Sequence, residues 1–256
     1  RNSIVMKKIF IFILLLFFIS PSVFTQDRNR YLLDIYEYDK ELNELVERVI
    51  EALGGRENNL RVESFQTTGE ITYQTGEKAT FDLFYMKNDW FRIDQKTEEE
   101  YILFGRHGRK GWIKRISKED GGEVQNLKGR KLNEEEQFNL YENNLFDYED
   151  KRLDIYYEGE IKVGEVEAYI IRLSGLRYGE EMYYISKETY RPFMKQVYFL
   201  DGKYQSVINY TIDEYTEVDG VWLPRKIGMK KGTQTKMIEF FNYDLAATFE
   251  KDFFTN

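Results

Sequence analysis

The side chains that carry most enzyme chemistry are scarce in this chain. It has one histidine, His107, and no cysteine among 256 residues. The missing thiols exclude disulfide scaffolds, thiolate metal sites, thiol nucleophiles and a lipidated N-terminal cysteine. His107 lies in Arg106-His107-Gly108-Arg109-Lys110, and as a catalytic base it would need a positioned partner and a nucleophile within hydrogen-bond reach. Its plain reading is a solvent-facing turn between two strands. The surrounding cations, with Lys114 and Arg115, form a basic cluster. A solvated turn explains it, and a lipid headgroup or an acidic partner is the chemistry it would suit.

The acids have no more order. Glu119-Asp120-Gly121-Gly122-Glu123 lacks the alternating ligands of a calcium loop. Glu98 to Glu100 read as a turn, and Glu134 to Glu136 as a helix N-terminus. Paired carboxylates can cleave glycosides, yet no pair stands out from 45 acids. No Gly-rich phosphate loop, G-x-S-x-G elbow or zinc spacing occurs. We expect no catalytic residue, no metal, no cofactor and no enzyme.

What remains is apolar surface. Aromatics make up 16% of the chain, with 20 Tyr, 19 Phe and 3 Trp, too many for a disordered or low-complexity polymer. They need elements to position them. From Leu60 onward, runs of β-branched and aromatic residues alternate with turn signals, among them Asp201-Gly202 and Asp219-Gly220, which suit type I′ hairpins. About eleven strands at hairpin spacing predict one antiparallel sheet, long enough to curl. Parity places Phe81, Leu83 and Tyr85 on one face, likewise Ile208, Tyr210 and Ile212, and Ile238 with Phe240.

Two helices accompany the sheet. Leu42, Leu45, Val46, Val49, Ile50 and Leu53 form one apolar stripe over Asp39–Leu53, with Asp39 as N-cap and Gly54-Gly55 as the stop. Asn133–Phe146 reads as a short amphipathic helix with Phe138, Tyr141 and Leu145 on one side. The fold class expected is α+β, mainly antiparallel β: a curved, unclosed barrel whose concave face the helices cover.

The first segment reads as an address. Met6-Lys7-Lys8 precedes eleven apolar residues, Ile9 to Ile19, and then Ser20 to Gln26, the form of a secretory signal peptide. The run is short of the roughly 20 apolar residues that span a bilayer. Cleavage after Thr25 or Ser22 is expected, and Arg1 to Val5 read as an upstream artefact. The mature single domain is then 26–256. Losing residues 1–25 removes Arg1, Lys7 and Lys8 and no acid, so a net charge of −8 becomes −11. Such a chain suits neither nucleic acid, whose phosphates demand Lys and Arg, nor an anionic bilayer surface. A periplasmic protein, not integral to a membrane after cleavage, is the class expected.

The order of motifs resembles the LolA/LolB-like superfamily of periplasmic lipoprotein carriers and sorting proteins. The resemblance covers roughly residues 38–255. It rests on Ala52-Leu53-Gly54-Gly55 closing the first helix, a first strand with Gly69, and Asp89-Trp90-Phe91-Arg92-Ile93. Gly108 to Trp112, Val163 to Tyr169, Tyr184 to Pro192 and Asp219-Gly220-Val221-Trp222-Leu223-Pro224 continue it. Ser186 stands where the family often has Asp, and His107 where an Asp usually precedes the Gly. The resemblance implies an unclosed barrel with lid helices over an apolar cavity for acyl chains.

The expected cavity residues are Phe81, Leu83, Tyr85, Phe91, Ile93, Trp112, Ile208, Tyr210, Ile212, Ile238 and Phe240, with Phe138, Tyr141 and Leu145 in the lid. Burying an acyl chain gains about 0.8 kcal/mol per CH₂, roughly 13 kcal/mol for about sixteen before costs. The expected partner is therefore a lipid or an acylated lipoprotein. The alternative is a non-catalytic envelope interaction or sensor protein with a filled core and protein partners.

Overall fold

The computed structural model describes residues 40–88, 90–135, 143–176, 178–201 and 204–255. The signal peptide expected over 1–25, the N-cap Asp39 and the lid residues Phe138 and Tyr141 lie outside the described residues. The chain divides into two units, Arg1–Leu45 and Val46–Asn256. Residues 40–52 are helical across that division, and the predicted stripe is buried from Leu42 to Leu53.

The second unit holds a single sheet of thirteen strands. The first six are β1 (Ser64–Tyr73), β2 (Lys78–Met86), β3 (Trp90–Lys96), β4 (Glu100–His107), β5 (Lys110–Ser117) and β6 (Val124–Lys128). The other seven are β7 (Asp154–Val163), β8 (Val166–Leu176), β9 (Gly179–Ser186), β10 (Pro192–Asp201), β11 (Tyr204–Val218), β12 (Val221–Lys231) and β13 (Gln234–Asp244). The order is β6-β5-β4-β3-β2-β1-β13-β12-β11-β10-β9-β8-β7, so the sheet stays open between β6 and β7. Two antiparallel meanders are thus joined through one ladder, β1 against β13. Register shifts at Thr68/Gly69, Pro192/Met194 and Ile212/Glu214 add local twist that bends a long sheet.

The structure corrects the strand count. Among the described residues there are thirteen strands, not about eleven; β6 escaped notice because only Leu127 of its five residues is buried, leaving no alternation to read. Of the helix expected at Asn133–Phe146, residues 136–142 lie outside the described residues; a helix is described over Arg130–Glu135, with Leu132 buried, and residues 143–146 are not helical. Residues 144–152 form turns and bends, and Leu145 is buried within them.

Parity gives the sheet an inner and an outer face. Inward residues of both meanders, including Phe65, Ile71, Phe81, Leu83, Phe104, Ile208, Tyr210 and Phe240, make one hydrophobic cluster. The outer face of β2–β5 has its own cover. There Phe84 and Trp90 meet Phe249, Phe253 and Phe254 of the C-terminal segment, which ends in a 3₁₀ turn at Lys251–Phe254. Trp112 belongs to this outer layer, and its indole N–H donates to the Phe254 carbonyl at 2.8 Å. Arg92 donates to the Phe253 carbonyl at 2.9 Å, lies over its ring at 4.6 Å and pairs with Asp94. His107 is exposed beside the turn between β4 and β5, as expected, and stacks on Trp90 with ring centroids 3.5 Å apart.

Gly105 creates the notch for Trp112: a Cβ there would stand 2.3 Å from the indole nitrogen. Gly105→Ala should therefore cost about 1–3 kcal/mol through overpacking and loosen the C-terminal segment. Denaturant unfolding and limited proteolysis at 249–254 check this; wild-type behaviour in both would refute the notch.

Candidate functional site

Two cavities open on the inner face, at opposite ends of the sheet. The larger lies where the β1–β2 and β12–β13 hairpins turn and measures about 740 Å³, within the range of roughly 300–1,000 Å³ typical of small-molecule sites. Its floor is apolar: Ile93, Ile102, Phe104, Ile113 and Met229. These side chains share one face because Ile93 pairs with Phe104 and Phe104 with Ile113 across β3, β4 and β5. Gln95 and Tyr73 close one wall, the amide donating to the phenol oxygen at 2.6 Å.

The mouth of this cavity is charged. Arg115 from β5, Lys231 from β12 and Lys236 from β13 line it, with Glu77 and Glu135. Arg115 donates to Glu135 at 3.0 Å and approaches Glu100 at 4.0 Å. Lys236 is partly buried, and burial, reinforced by the positive charge of Lys231, lowers its ammonium to about 7.

The smaller cavity, about 160 Å³, lies between Phe65, Tyr85, Ile212, Tyr215, Trp222 and the turn around Asn143–Asp147. Its apolar walls are fastened by hydroxyls: Tyr215 donates to the Pro192 carbonyl and Tyr243 to that of Pro224, each at 2.6 Å. Burial holds both phenols well above their ordinary range. Lys195 and Tyr183 also line this cavity and lead to a charged centre that the sequence reading did not single out. Glu181, fully buried, pairs with Lys195, 3% exposed, at 2.6 Å. The same carboxylate accepts from Tyr178 and Tyr183 at 2.6 Å each and from the Asn144 amide at 3.0 Å. Asn144 in turn accepts from Lys151 at 2.8 Å, so the 144–151 turn is tied to the inner face. Burial, then the charge of Glu181, raises the Tyr183 phenol well above its usual value. With four donors on one carboxylate, the centre ties β9, β10 and the 144–151 turn together.

The structure distributes the predicted cavity residues unevenly. Phe81, Leu83, Phe91, Ile208, Tyr210, Ile238 and Phe240 pack in the shared cluster. Ile93 belongs to it too and lines the larger cavity, while Tyr85 and Ile212 line the smaller. Trp112 points to the outer layer, because Ile113 holds the inward position of β5. The floor residues Ile102, Phe104, Ile113 and Met229 and the cations Lys231 and Lys236 were missed. Alternation along β4 and β12 was the signal available. Arg115, noted in the basic cluster, reaches the cavity mouth, whereas Arg109 and Lys110 of the same cluster are exposed.

The sequence matches no protein-family model and no curated protein. The fold does have solved counterparts. A DUF1329 family protein from Desulfovibrio piger superposes with a TM-score of 0.56 at 12% identity, over 83% of this chain and 96% of that one. A LolA superfamily protein from Nitrosomonas europaea gives 0.55 at 13% identity, over 81% and 96%. A candidate outer membrane lipoprotein-sorting domain from Vibrio parahaemolyticus gives 0.53 at 12% identity, over 78% and 94%. The class that these define is the LolA-like fold, and this chain has it.

Replacing one member of the buried pair would leave a charge without its counterion, which typically costs about 3–5 kcal/mol. Lys195→Met should lower unfolding free energy by about that much, and adding Glu181→Leu should recover a large part of it. Urea unfolding of the wild type and the variants measures both; equal stability of Lys195→Met and wild type would refute the coupling.

Proposed function

We propose that the protein is a periplasmic carrier or binding protein for lipid or lipoprotein acyl chains. The observation that carries this reading is the larger cavity, with its continuous floor of Ile93, Ile102, Phe104, Ile113 and Met229 under an open mouth. Its volume suits an aliphatic chain, and transfer of that chain from water supplies the binding energy without further chemistry. The likeness in fold to a LolA superfamily protein and to a candidate lipoprotein-sorting domain supports the same reading. Export, which the N-terminal sequence pattern suggests, would deliver the protein to the compartment where such cargo is handled. Capture needs only a dry slot, and release needs a partner that offers the chain a tighter one.

The packed cluster gives the alternative some weight. Phe81, Leu83, Tyr210, Ile238 and Phe240 leave no opening among themselves, as an adaptor with a filled core would require. The two readings part at the larger cavity, which the adaptor does not use.

Native mass spectrometry of Gln26–Asn256 purified from a bacterial periplasm should find a co-purifying mass of one or two acyl chains, lost on organic extraction. Ile102→Trp, which fills the floor from a partly buried position, should retain the wild-type melting temperature and lose most of that mass. A clean apo mass with no uptake of added phospholipid would discard the carrier in favour of the adaptor.

A further inference from the structure

The larger cavity joins an apolar floor to cations from three strands, and on that juxtaposition we propose that its ligand is an anionic amphiphile, its chain on the floor and its phosphate-bearing headgroup at Arg115, Lys231 and Lys236. This rests on the lipid-binding reading and adds a headgroup class to it. Lys236 faces Met229 across the β12–β13 ladder, and Lys231 lies two residues beyond Met229 on the same face. Two lysines thus come together at one polar edge of a cavity whose floor is aliphatic and aromatic. Arg115 stands on β5, from the other meander, so positive charge borders the mouth from two sides. Glu77 and Glu135 stand at the same mouth, Glu135 held by Arg115, so the two lysines of the β12–β13 side supply the excess of positive charge there.

The positive charge of Lys231 disfavours the charged form of Lys236, and a phosphate oxygen beside the two would favour it. The titration of Lys236 adds a signature. Its ammonium is lowered to about 7 by burial and by Lys231, so an anion would draw a proton onto it. The other charged or titratable groups at the mouth are Glu77, Glu135, Arg115, Lys231 and the Tyr73 phenol, with Glu100 beside Arg115. Burial raises the Tyr73 phenol above its usual value. Affinity for the anionic ligand should therefore be highest below about pH 7 and fall as pH rises, by at most about tenfold per unit.

The test compares two lysolipids of equal chain length on the signal-free protein, lysophosphatidylglycerol and lysophosphatidylcholine, by calorimetric titration below their micellar concentrations. The expected result is at least about tenfold tighter binding of the anionic lipid, a gap of about 1.4 kcal/mol, which narrows from pH 6.5 to 8.5. Lys231→Gln/Lys236→Gln should abolish the preference and keep binding of the zwitterionic lipid. Because the wild-type comparison needs no mutant, a misfolded variant leaves the proposal decidable. Equal affinities in the wild type would overturn the headgroup assignment and leave acyl binding standing. Binding of neither lipid would overturn both readings. Displacement of the anionic lipid by inorganic phosphate alone would assign the cations to a free anion and overturn the amphiphile.

Discussion

Everything on the inner face depends on one ladder, the antiparallel pairing of β1 with β13. Ser64–Tyr73 and Gln234–Asp244 are far apart in sequence, yet they supply the junction between the two meanders. All other strand pairs join sequence neighbours, whose loops close at little entropic cost. The β1–β13 pair must offset the ordering of a much longer segment. It does so with Ile71 opposite Ile238, both fully buried, and with the close approach of Gly69, where a Cβ would strike the Glu239 carbonyl of β13. Without that junction the sheet would be two separate surfaces, each with one apolar side in water.

The ladder also explains why the two ends of the inner face differ. At one end, the β11–β12 turn meets the first helix: the Trp222 N–H donates to the Leu53 carbonyl at 3.0 Å, and Arg191 stacks on Trp222 at 3.6 Å while donating to Ala52 at 2.8 Å. Gly54, with positive φ, lets the chain pass so close to Gly220 that a Cβ would strike its carbonyl. Together with the Glu181–Lys195 centre, these bonds narrow that end around the smaller cavity. At the other end, strands finish in hairpins with long polar side chains, and among the described residues Glu135, at the end of the Arg130–Glu135 helix, stands at the rim. The apolar floor there stays open under a charged rim.

Much of this architecture was legible in the amino-acid order, for a physical reason. Hairpin strands with one buried face must alternate, so Phe81-Leu83-Tyr85 and Ile208-Tyr210-Ile212 announced their inward side, and Asp219-Gly220 its turn. Indeed Asp219 and Gly220 both have positive φ between Val218 and Val221, which pair directly. The short edge strand β6 was not legible, since an edge with one buried residue has no period. The site was read less well than the fold. Alternation says which residues face inward; it does not say which inward residues meet a neighbour and which meet a void. Tyr210 and Ile93 looked alike, but only Ile93 lines a cavity. Trp112 and Ile113 stand on opposite faces of β5, and Trp112 was expected in the cavity where Ile113 holds the inward position. Lys195 and Glu181 sit at inward parity in apolar strands, a pattern that marks a buried pair once both are noticed together.

The position of β13 has a consequence for how the molecule is made. It is the last strand of the sheet in chain order, and the aromatic segment that covers Phe84, Trp90 and Trp112 comes later still. During synthesis, β1 therefore keeps an unpaired edge, and the outer side of β2–β5 remains uncovered, until nearly the whole sheet sequence has emerged. Such an intermediate exposes both a strand template and an aromatic surface, the two features that most invite aggregation. Truncation ahead of Gln234 would freeze the chain at that stage, so the distal tenth of the polypeptide governs the solubility of all that precedes it.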